Sequence, residues 1–107
     1  MKKYIENITI GEFLITEFLE PLGLSQNALA RAINVPQNRI NEIANGKRGI
    51  TADTDLRLCR YFNMSDGFFL RVQTKIDQDI ARQKLENELN QIIPYANDNG
   101  HRDLIAM

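Results

Sequence analysis

The sequence predicts an all-α fold of five helices, the last of which continues as a C-terminal helical extension. Three observations lead to this prediction. Apolar residues recur at spacings of three and four along most of the chain, which is typical of helices that bury one face. Residues that cap or end helices recur between these apolar stretches. After residue 10, no run of alternating β-branched residues predicts a strand.

The first two helices are predicted from their apolar stripes and from the residues between them. Residues 11–20 carry the first stripe, and Pro21 and Gly23 follow it as residues that end helices. Ser25 is a good N-cap because its hydroxyl can accept a hydrogen bond from a backbone N–H group that the helix start leaves unpaired. We therefore expect the second helix at residues 26–33.

A tight turn separates the second helix from the third. Asn34 stands where a left-handed backbone is common, and Pro36 suits the first position of a helix because it has no N–H group to leave unpaired. The third helix is predicted at residues 36–45, with Gly46 as its terminator. Two short helices joined by such a turn form the sequence pattern of a helix-turn-helix, in which the second helix enters the major groove of DNA.

The outer face of the third helix carries side chains that suit base recognition. Amides pair with adenine, guanidinium groups pair with guanine, and a carboxylate accepts from cytosine, each good pair discriminating by ~1–3 kcal/mol. The predicted base-reading residues are Gln37, Asn38, Arg39, Asn41 and Glu42. The start of the second helix and the basic loop after the third are placed for phosphate contacts. The predicted phosphate-binding residues are Gln26, Arg31, Lys47 and Arg48.

The distribution of charge supports this interpretation more than the total charge does. The formal net charge is −1, yet residues 25–60 carry six basic and three acidic side chains. The flanking segments, 1–24 and 61–107, each carry an excess of two acidic side chains. Because nucleic acid attracts positive charge, the basic excess indicates a DNA-facing surface around the helix-turn-helix.

Two further helices are predicted after the basic loop. Thr51 caps the fourth helix, and Asp53 and Asp55 favour its positive N-terminus. Ser65 caps the fifth helix, which continues to about residue 93 before Pro94 ends it.

The apolar face of the fifth helix changes along its length. Ile76 and Ile80 share one face, whereas the later apolar residues lie roughly 180° away. One straight helix cannot bury both faces in one small domain. Either the helix bends back, or its second half contacts another chain. The predicted partner interface consists of Leu85, Leu89, Ile92 and Ile93.

The predicted organisation has three parts. They are a helix-turn-helix DNA-binding domain at residues 9–75, a helix for dimer or partner contact at 76–94, and a flexible tail at 95–107. The N-terminus lacks the apolar core of a signal peptide, and no apolar run approaches the ~20 residues that span a bilayer. A single cysteine excludes an intrachain disulfide. We therefore expect a cytoplasmic protein.

The residues that enzymes commonly use do not form a pattern here. His101, the only histidine, lies in the predicted tail. Cys59 stands among apolar positions of the fourth helix, where a buried structural thiol is the usual case. No glycine-rich phosphate loop is present. We expect no enzyme activity, no metal and no cofactor.

The stretch "GLSQNALARAINVPQNRINEIANGKRGITADTDLRLCRYF" resembles the helix-turn-helix of the Cro/repressor-like (XRE) superfamily. With "GEFLITEFLEPLGLSQ" before it and "FFLRVQ" after it, the chain resembles HigA-type antitoxins over about residues 11–73. It departs from them at Thr9-Ile10, where His-Pro is common, and at residues 66–69, where Pro-Glu-Phe-Trp is common.

The resemblance implies a five-helix Cro/repressor-like domain with the C-terminal extension. It implies a homodimer that binds an inverted repeat in operator DNA upstream of its own operon and represses that operon. It also implies neutralisation of a cognate HigB-like toxin of the RelE-like, mRNA-cleaving class. Carried over by position, the phosphate role falls on Gln26, Lys47 and Arg48. The groove-facing roles fall on Gln37, Asn38, Asn41 and Glu42.

Two other functions fit the same residues. One is a stand-alone repressor that reads DNA without a toxin partner. The other is a protein-interaction module with a degenerate helix-turn-helix, which the weak total charge and the acidic C-terminal third would suit.

Overall fold

The computed structural model describes residues 8–96, which fold into five helices with no strand among them. The first helix, α1, covers residues 10–22, and the others are α2 (Gln26–Ile33), α3 (Gln37–Ala44), α4 (Ala52–Phe62) and α5 (Phe68–Gln91). The all-α prediction and the bounds of the second helix are thereby confirmed. His101 and the rest of the predicted tail from residue 97 onward lie outside the described residues. Within residues 8–96, no helix is both long and apolar enough to cross a bilayer.

Helix α1 begins at a reciprocal cap that the sequence analysis did not anticipate. The Thr9 hydroxyl accepts a hydrogen bond from the backbone N–H of Glu12, and the Glu12 carboxylate accepts one from the backbone N–H of Thr9, both at 3.0 Å. These bonds satisfy two N–H groups at the helix start. Thr9 therefore caps the N-terminus of α1 and stabilises its first turn.

Pro21 lies inside α1, whereas the sequence analysis placed it after the helix end. The backbone widens into a π-helix at Ile15–Leu19, where the N–H of Glu20 donates to the carbonyl of Ile15. In an ordinary α-helix a proline ring clashes with the carbonyl four residues before it. The wider turn before Pro21 relieves that clash. The helix continues two residues beyond its predicted end at residue 20 and stops before Gly23, a predicted terminator whose φ of 62° is left-handed.

Buried apolar side chains from all five helices form one core. Leu29 of α2, Ile40 of α3 and Phe69 of α5 are fully buried within it. The ring of Phe18 packs with its centroid 4.8 Å from that of Phe62 and 5.1 Å from that of Phe69. This packing joins α1, α4 and α5 around one core, which Leu29 and Ile40 share.

The closest approach of α1 to α3 occurs at Gly11. A Cβ atom at this position would collide with the backbone carbonyl of Ile43 and would lie 2.9 Å from the Cα of Ala44. Packing, rather than backbone conformation, therefore requires glycine here. The contact holds the C-terminal end of α3 against the domain.

Asp55 of α4 organises the start of α5. Its side chain is buried, and it accepts hydrogen bonds from the backbone N–H groups of Gly67, Phe69 and Leu70 at 2.7, 2.9 and 3.1 Å. The prediction that Ser65 caps this helix is wrong, because the N-cap is Gly67, which offers no side chain. A carboxylate from the preceding helix replaces the missing cap. Cys59, as predicted, is fully buried nearby, with its Sγ 3.6 Å from the same carboxylate.

Helix α5 is continuous across its whole length. It ends at Gln91, slightly before the predicted end, and the predicted boundary between residues 75 and 76 falls within it. Its first half packs on the domain through Phe69 and Ile76. Every residue from 81 to 96 is exposed. The described residues therefore do not adopt the alternative in which the helix bends back on its own domain.

Candidate nucleic-acid interface

Helix α2, a turn and helix α3 form a compact helix-turn-helix. Ser25 caps α2 through a 3.0 Å hydrogen bond from the backbone, as predicted. Asn34 adopts the predicted left-handed conformation at φ 63°, and the N–H of Val35 donates to the carbonyl of Ala30 at 3.0 Å. Pro36 is the N-cap of α3 rather than its first residue, so the predicted start of the third helix is one residue too early.

The first turn of α3 presents Gln37 and Asn38 to solvent. On the opposite side of the helix, Ile40 and Ile43 are fully buried. The core therefore sets the rotation of α3 about its axis. That rotation directs the two amides outward at the helix N-terminus, where a recognition helix meets base edges.

Asn41 is held by the first residue of α2. Its Nδ2 donates a 2.8 Å hydrogen bond to Oε1 of Gln26, and both residues are half-buried. This bond uses one donor of Asn41 and leaves its carbonyl oxygen as an acceptor. The remaining N–H groups of Gln26 stay as donors at the start of α2. The structure thus brings together a predicted base-reading residue and a predicted phosphate-binding residue.

Arg39 is engaged within the protein. Its Nη1 lies 3.2 Å from Oδ1 of Asp53, and its side chain is only 29% exposed. Asp53 also accepts a 2.7 Å hydrogen bond from Nε of Arg57. The hydrogen bond from Arg57, followed by the charges of both arginines, lowers the pKa of Asp53 below its ordinary value of 3.8.

Arg57 links this ion pair to the end of α2. Its Nη1 donates to the backbone carbonyls of Ile33 and Asn34 at 2.9 and 3.3 Å. A cation at a helix C-terminus satisfies carbonyls that the helix leaves unpaired. Asp53 and Arg57 therefore connect α4 to both helices of the helix-turn-helix.

Glu42 and Arg48 form a second ion pair. Nε and Nη2 of Arg48 lie 2.9 and 2.8 Å from the same carboxylate oxygen of Glu42. The sequence predicts that Glu42 reads bases and that Arg48 contacts phosphates, whereas in the structure the two side chains contact each other. Lys47 and Arg31 are exposed cations on the same unit.

The loop that carries Lys47 and Arg48 is anchored to α5. Gln73 accepts a 2.7 Å hydrogen bond from the N–H of Ile50 and donates a 2.9 Å bond to its carbonyl. The side-chain amide of Gln73 thus makes the two hydrogen bonds with the backbone of Ile50 that a neighbouring β-strand would make. Gln73 thereby positions the end of the basic loop.

Sequence reasoning missed Asp53, Arg57 and Gln73 as residues that support the site. Asp53 and Arg57 stand four residues apart, which is the common spacing of ion pairs on a helix. The sequence alone could therefore have predicted this pair. Their contacts with α2 and α3, and the contact of Gln73 with Ile50, depend on distant parts of the chain. In the part of the chain that the structure describes, no three metal-ligating side chains lie together.

Comparison with known proteins finds relatives that match most of this chain. A helix-turn-helix family model matches residues 15–69, which include α2, the turn and α3. The chain is 49% identical to virulence-associated protein I of Dichelobacter nodosus, over 82% of this chain and 81% of that protein. It is 31% identical to antitoxin HigA-1 of Vibrio cholerae serotype O1, over 81% of this chain and 82% of that protein.

A solved structure of another protein has a similar fold over most of its length. The chain is similar to the Pseudomonas aeruginosa antitoxin HigA, whose structure was solved with the higBA promoter. The TM-score is 0.72 at 36% identity, over 81% of this chain and 96% of that chain.

Proposed function

Because this chain belongs to the helix-turn-helix family that includes the HigA antitoxins, we propose that it is an antitoxin that binds operator DNA upstream of its own operon and represses that operon. The family consists of regulators and antitoxins, so the prediction that the chain is not an enzyme is confirmed. In this proposal the protein acts in the cytoplasm, where the operator DNA lies.

The single observation that carries the proposal is the outward-facing pair of amides at the start of α3. Gln37 and Asn38 are exposed at the helix N-terminus while Ile40 and Ile43 anchor the opposite face. In this proposal α3 lies in the major groove, with Gln37, Asn38 and Asn41 on base edges. Helices that read bases need this rigid support, because discrimination depends on fixed donor and acceptor positions.

Gln26 and the charged residues of the interface take supporting roles in the proposal. Gln26, Arg31 and Lys47 contact phosphates, which position the protein without reading sequence. Arg39, Glu42 and Arg48 are held in ion pairs in the unbound protein. The two arginines keep further N–H donors beside these ion pairs, and in the proposal those donors reach bases or phosphates.

A homodimer is part of the proposal. One helix-turn-helix makes few base contacts, and two-fold pairing lets two copies span half-sites ~34–36 Å apart. The exposed apolar stripe at the end of α5 supports this, with Leu85, Leu89 and Ile92 at 43%, 41% and 65% exposure. Ile93, at 85%, completes the stripe. Apolar residues grouped in this way mark contact surfaces between proteins.

Neutralisation of a HigB-like, mRNA-cleaving toxin completes the proposed function, and membership of the antitoxin family supports it. A stand-alone repressor would use the same DNA contacts without a toxin. Co-expression with the product of the neighbouring gene separates the two, since an antitoxin captures a small basic toxin encoded there in a stable complex and a stand-alone repressor does not.

The decisive test is a footprinting titration of the full chain on the DNA upstream of its own gene, at near-physiological salt. We expect protection of an inverted repeat. Gln37→Ala combined with Asn38→Ala should abolish the preference for that repeat while leaving weak non-specific binding. Lys47→Ala should weaken binding to all sequences alike and reduce the salt slope by about one. Gln78→Ala, an exposed amide on α5 outside the proposed DNA-facing surface, is the matched control.

Two results would overturn the proposal. Unchanged sequence preference in the Gln37 and Asn38 double variant would show that α3 does not read the operator. No protection by a correctly folded protein would favour the interaction module with a degenerate helix-turn-helix.

A further inference from the structure

The basic loop, residues 46–50, is attached to the domain at both of its ends. At its first end, two backbone N–H groups donate to carbonyls of α3 at 3.1 and 2.9 Å. At its second end, the side-chain amide of Gln73 on α5 makes two hydrogen bonds with the backbone of Ile50. Lys47 and Arg48, the two cations of the loop, lie between these attachments. The position of the two cations therefore depends on α5 as well as on α3.

The contact between Gln73 and the loop is close. Its two hydrogen bonds are 2.7 and 2.9 Å long, and Ile50 is only 4% exposed. Gly49 lies against the same amide, because a Cβ atom at this position would lie 2.9 Å from Oε1 of Gln73. Only one orientation of the amide makes both bonds, since its oxygen accepts and its N–H group donates. Gln73 is therefore fitted to the loop by both shape and hydrogen bonding.

An open cavity of about 270 Å³ lies between the loop, the start of α1 and α5. Lys47 and Arg48 line it on the loop side, and Ile10, Ile76 and Ile80 line it on the other sides. Side chains that border a cavity lack packing partners there, and apolar side chains cannot form hydrogen bonds with the loop. On this side, the hydrogen bonds of Gln73 therefore matter more for the position of the loop than packing does.

We infer that Gln73 is a positioning residue for operator binding, because it fixes the loop so that Lys47 and Arg48 contact phosphates. The inference rests on the proposed operator binding and adds a residue that does not itself touch DNA. It concerns the phosphate contacts and leaves base reading by α3 unchanged. By thermodynamic linkage, DNA that binds the fixed loop also stabilises the contact between Gln73 and Ile50.

Gln73→Met in the full chain tests the inference, because methionine has a similar length but no N–H donor and only a weak acceptor. Fluorescence anisotropy follows binding to the operator duplex, to a duplex with one base pair changed and to non-specific DNA, over a salt series. We expect roughly 10-fold weaker binding to all three and a salt slope lower by about one to two. The ratio of the first two affinities, which reports base reading, should not change. Gln78→Met, the same change at an exposed position of α5, is the matched control.

Two further variants test the same contact from the loop side. The backbone of Gly49 is not left-handed, so Gly49→Ala fits the backbone while its Cβ displaces the amide of Gln73. It should reproduce the effect of Gln73→Met, and the double variant should bind no more weakly than either single variant. Gln73→Met should also cost less affinity when combined with Lys47→Ala, because the contact that it positions is already lost. Full additivity in both combinations would contradict the inference.

Amide hydrogen exchange measured by NMR tests the linkage. In the natural protein, operator DNA should slow the exchange of the Ile50 N–H more than that of the Met64 N–H, which donates to the carbonyl of Cys59. DNA that stabilised the whole fold without acting on this contact would slow both N–H groups by the same factor. That result would count against the inference.

Other outcomes separate the inference from the proposed function. A salt slope that is unchanged in Gln73→Met, or that falls equally in Gln78→Met, overturns the inference while operator binding stands. A changed ratio of the operator affinities means that Gln73 acts through α3, which also overturns it. If the natural protein protects no operator, the proposed function fails, and the salt slope on non-specific DNA still decides whether Gln73 positions the loop. Urea denaturation gives the folded fraction of each variant, for which the affinities are corrected.

Discussion

Gln26 and Asn41 lie 15 residues apart in the chain and are joined by a 2.8 Å hydrogen bond between their side-chain amides. The bond fixes the amide of Asn41 relative to α2. Because Gln26 contributes its Oε1 to this bond, its side-chain N–H groups remain as donors. In the proposed complex, Gln26 on a phosphate thus orients Asn41 on a base, and the two contributions to operator affinity are coupled.

We predict that Gln26→Ala and Asn41→Ala each weaken operator binding about 10-fold, in line with the ~1–3 kcal/mol of a specific contact. The double variant should lose less than the product of the two effects, because each single change already breaks the shared bond. Fluorescence anisotropy with an operator duplex measures the cycle, with Gln78→Ala as control. Strict additivity would show that the bond does not matter for recognition.

The ion pair between Glu42 and Arg48 leads to a prediction about non-specific binding. Glu42→Gln removes a negative charge from the proposed DNA-facing surface and releases Arg48 for phosphate contact. We expect non-specific affinity to rise several-fold and the salt slope to steepen by about one. Glu17→Gln changes the net charge equally on the exposed side of α1. If the non-specific DNA affinity of both variants rises by the same factor, the change in net charge rather than the released arginine explains the effect.

Asp53 makes stability depend on pH. Its pKa is lowered in the folded protein, chiefly by the hydrogen bond from Arg57. A lowered pKa stabilises the fold fully above the ordinary value of 3.8, and that stabilisation is lost as pH falls through the folded pKa.

Asp53→Asn should therefore lower the urea midpoint near neutral pH, and the difference from the natural protein should vanish in strong acid. Urea unfolding followed by circular dichroism across this range measures it, with Asp66→Asn as the exposed control. A difference that is constant with pH would mean that the ion pairs do not cause it.

Replacement of Asp55 should destabilise the fold far more than replacement of Asp53. It is 1% exposed, and three backbone N–H groups point at its carboxylate. Asn in its place turns one acceptor into a donor that faces these N–H groups. Because hydrogen bonds to a charged group contribute about 1.5–3 kcal/mol each, we expect Asp55→Asn to cost roughly 3 kcal/mol of unfolding free energy.

Urea denaturation measures this loss directly. Asp77→Asn, at an exposed position of α5, should change the unfolding free energy by less than about 0.5 kcal/mol. A loss below about 1 kcal/mol for Asp55→Asn would mean that the start of α5 does not depend on this carboxylate.

Much of the secondary structure of this protein can be predicted from its sequence alone, because the helix ends depend on nearby residues. The Ser25 and Thr51 caps each bond the backbone three residues ahead, and the left-handed Asn34 and Gly23 end their helices. Such interactions depend on residues within one turn of helix, so the order of residues is enough to predict them. The helix-turn-helix, its exposed amides and the apolar stripe of α5 follow from the same short-range patterns.

Only the tertiary structure decided which charged residues pair. Arg39 meets Asp53 across 14 residues, and Asp55 caps a helix that begins 13 residues later. Gly11 is required because α3 passes over it. Each of these contacts depends on the angle at which two helices cross, and core packing among distant residues sets that angle. Composition and periodicity do not carry that information, so the ion pairs and the cap at Asp55 could be found only in the folded chain.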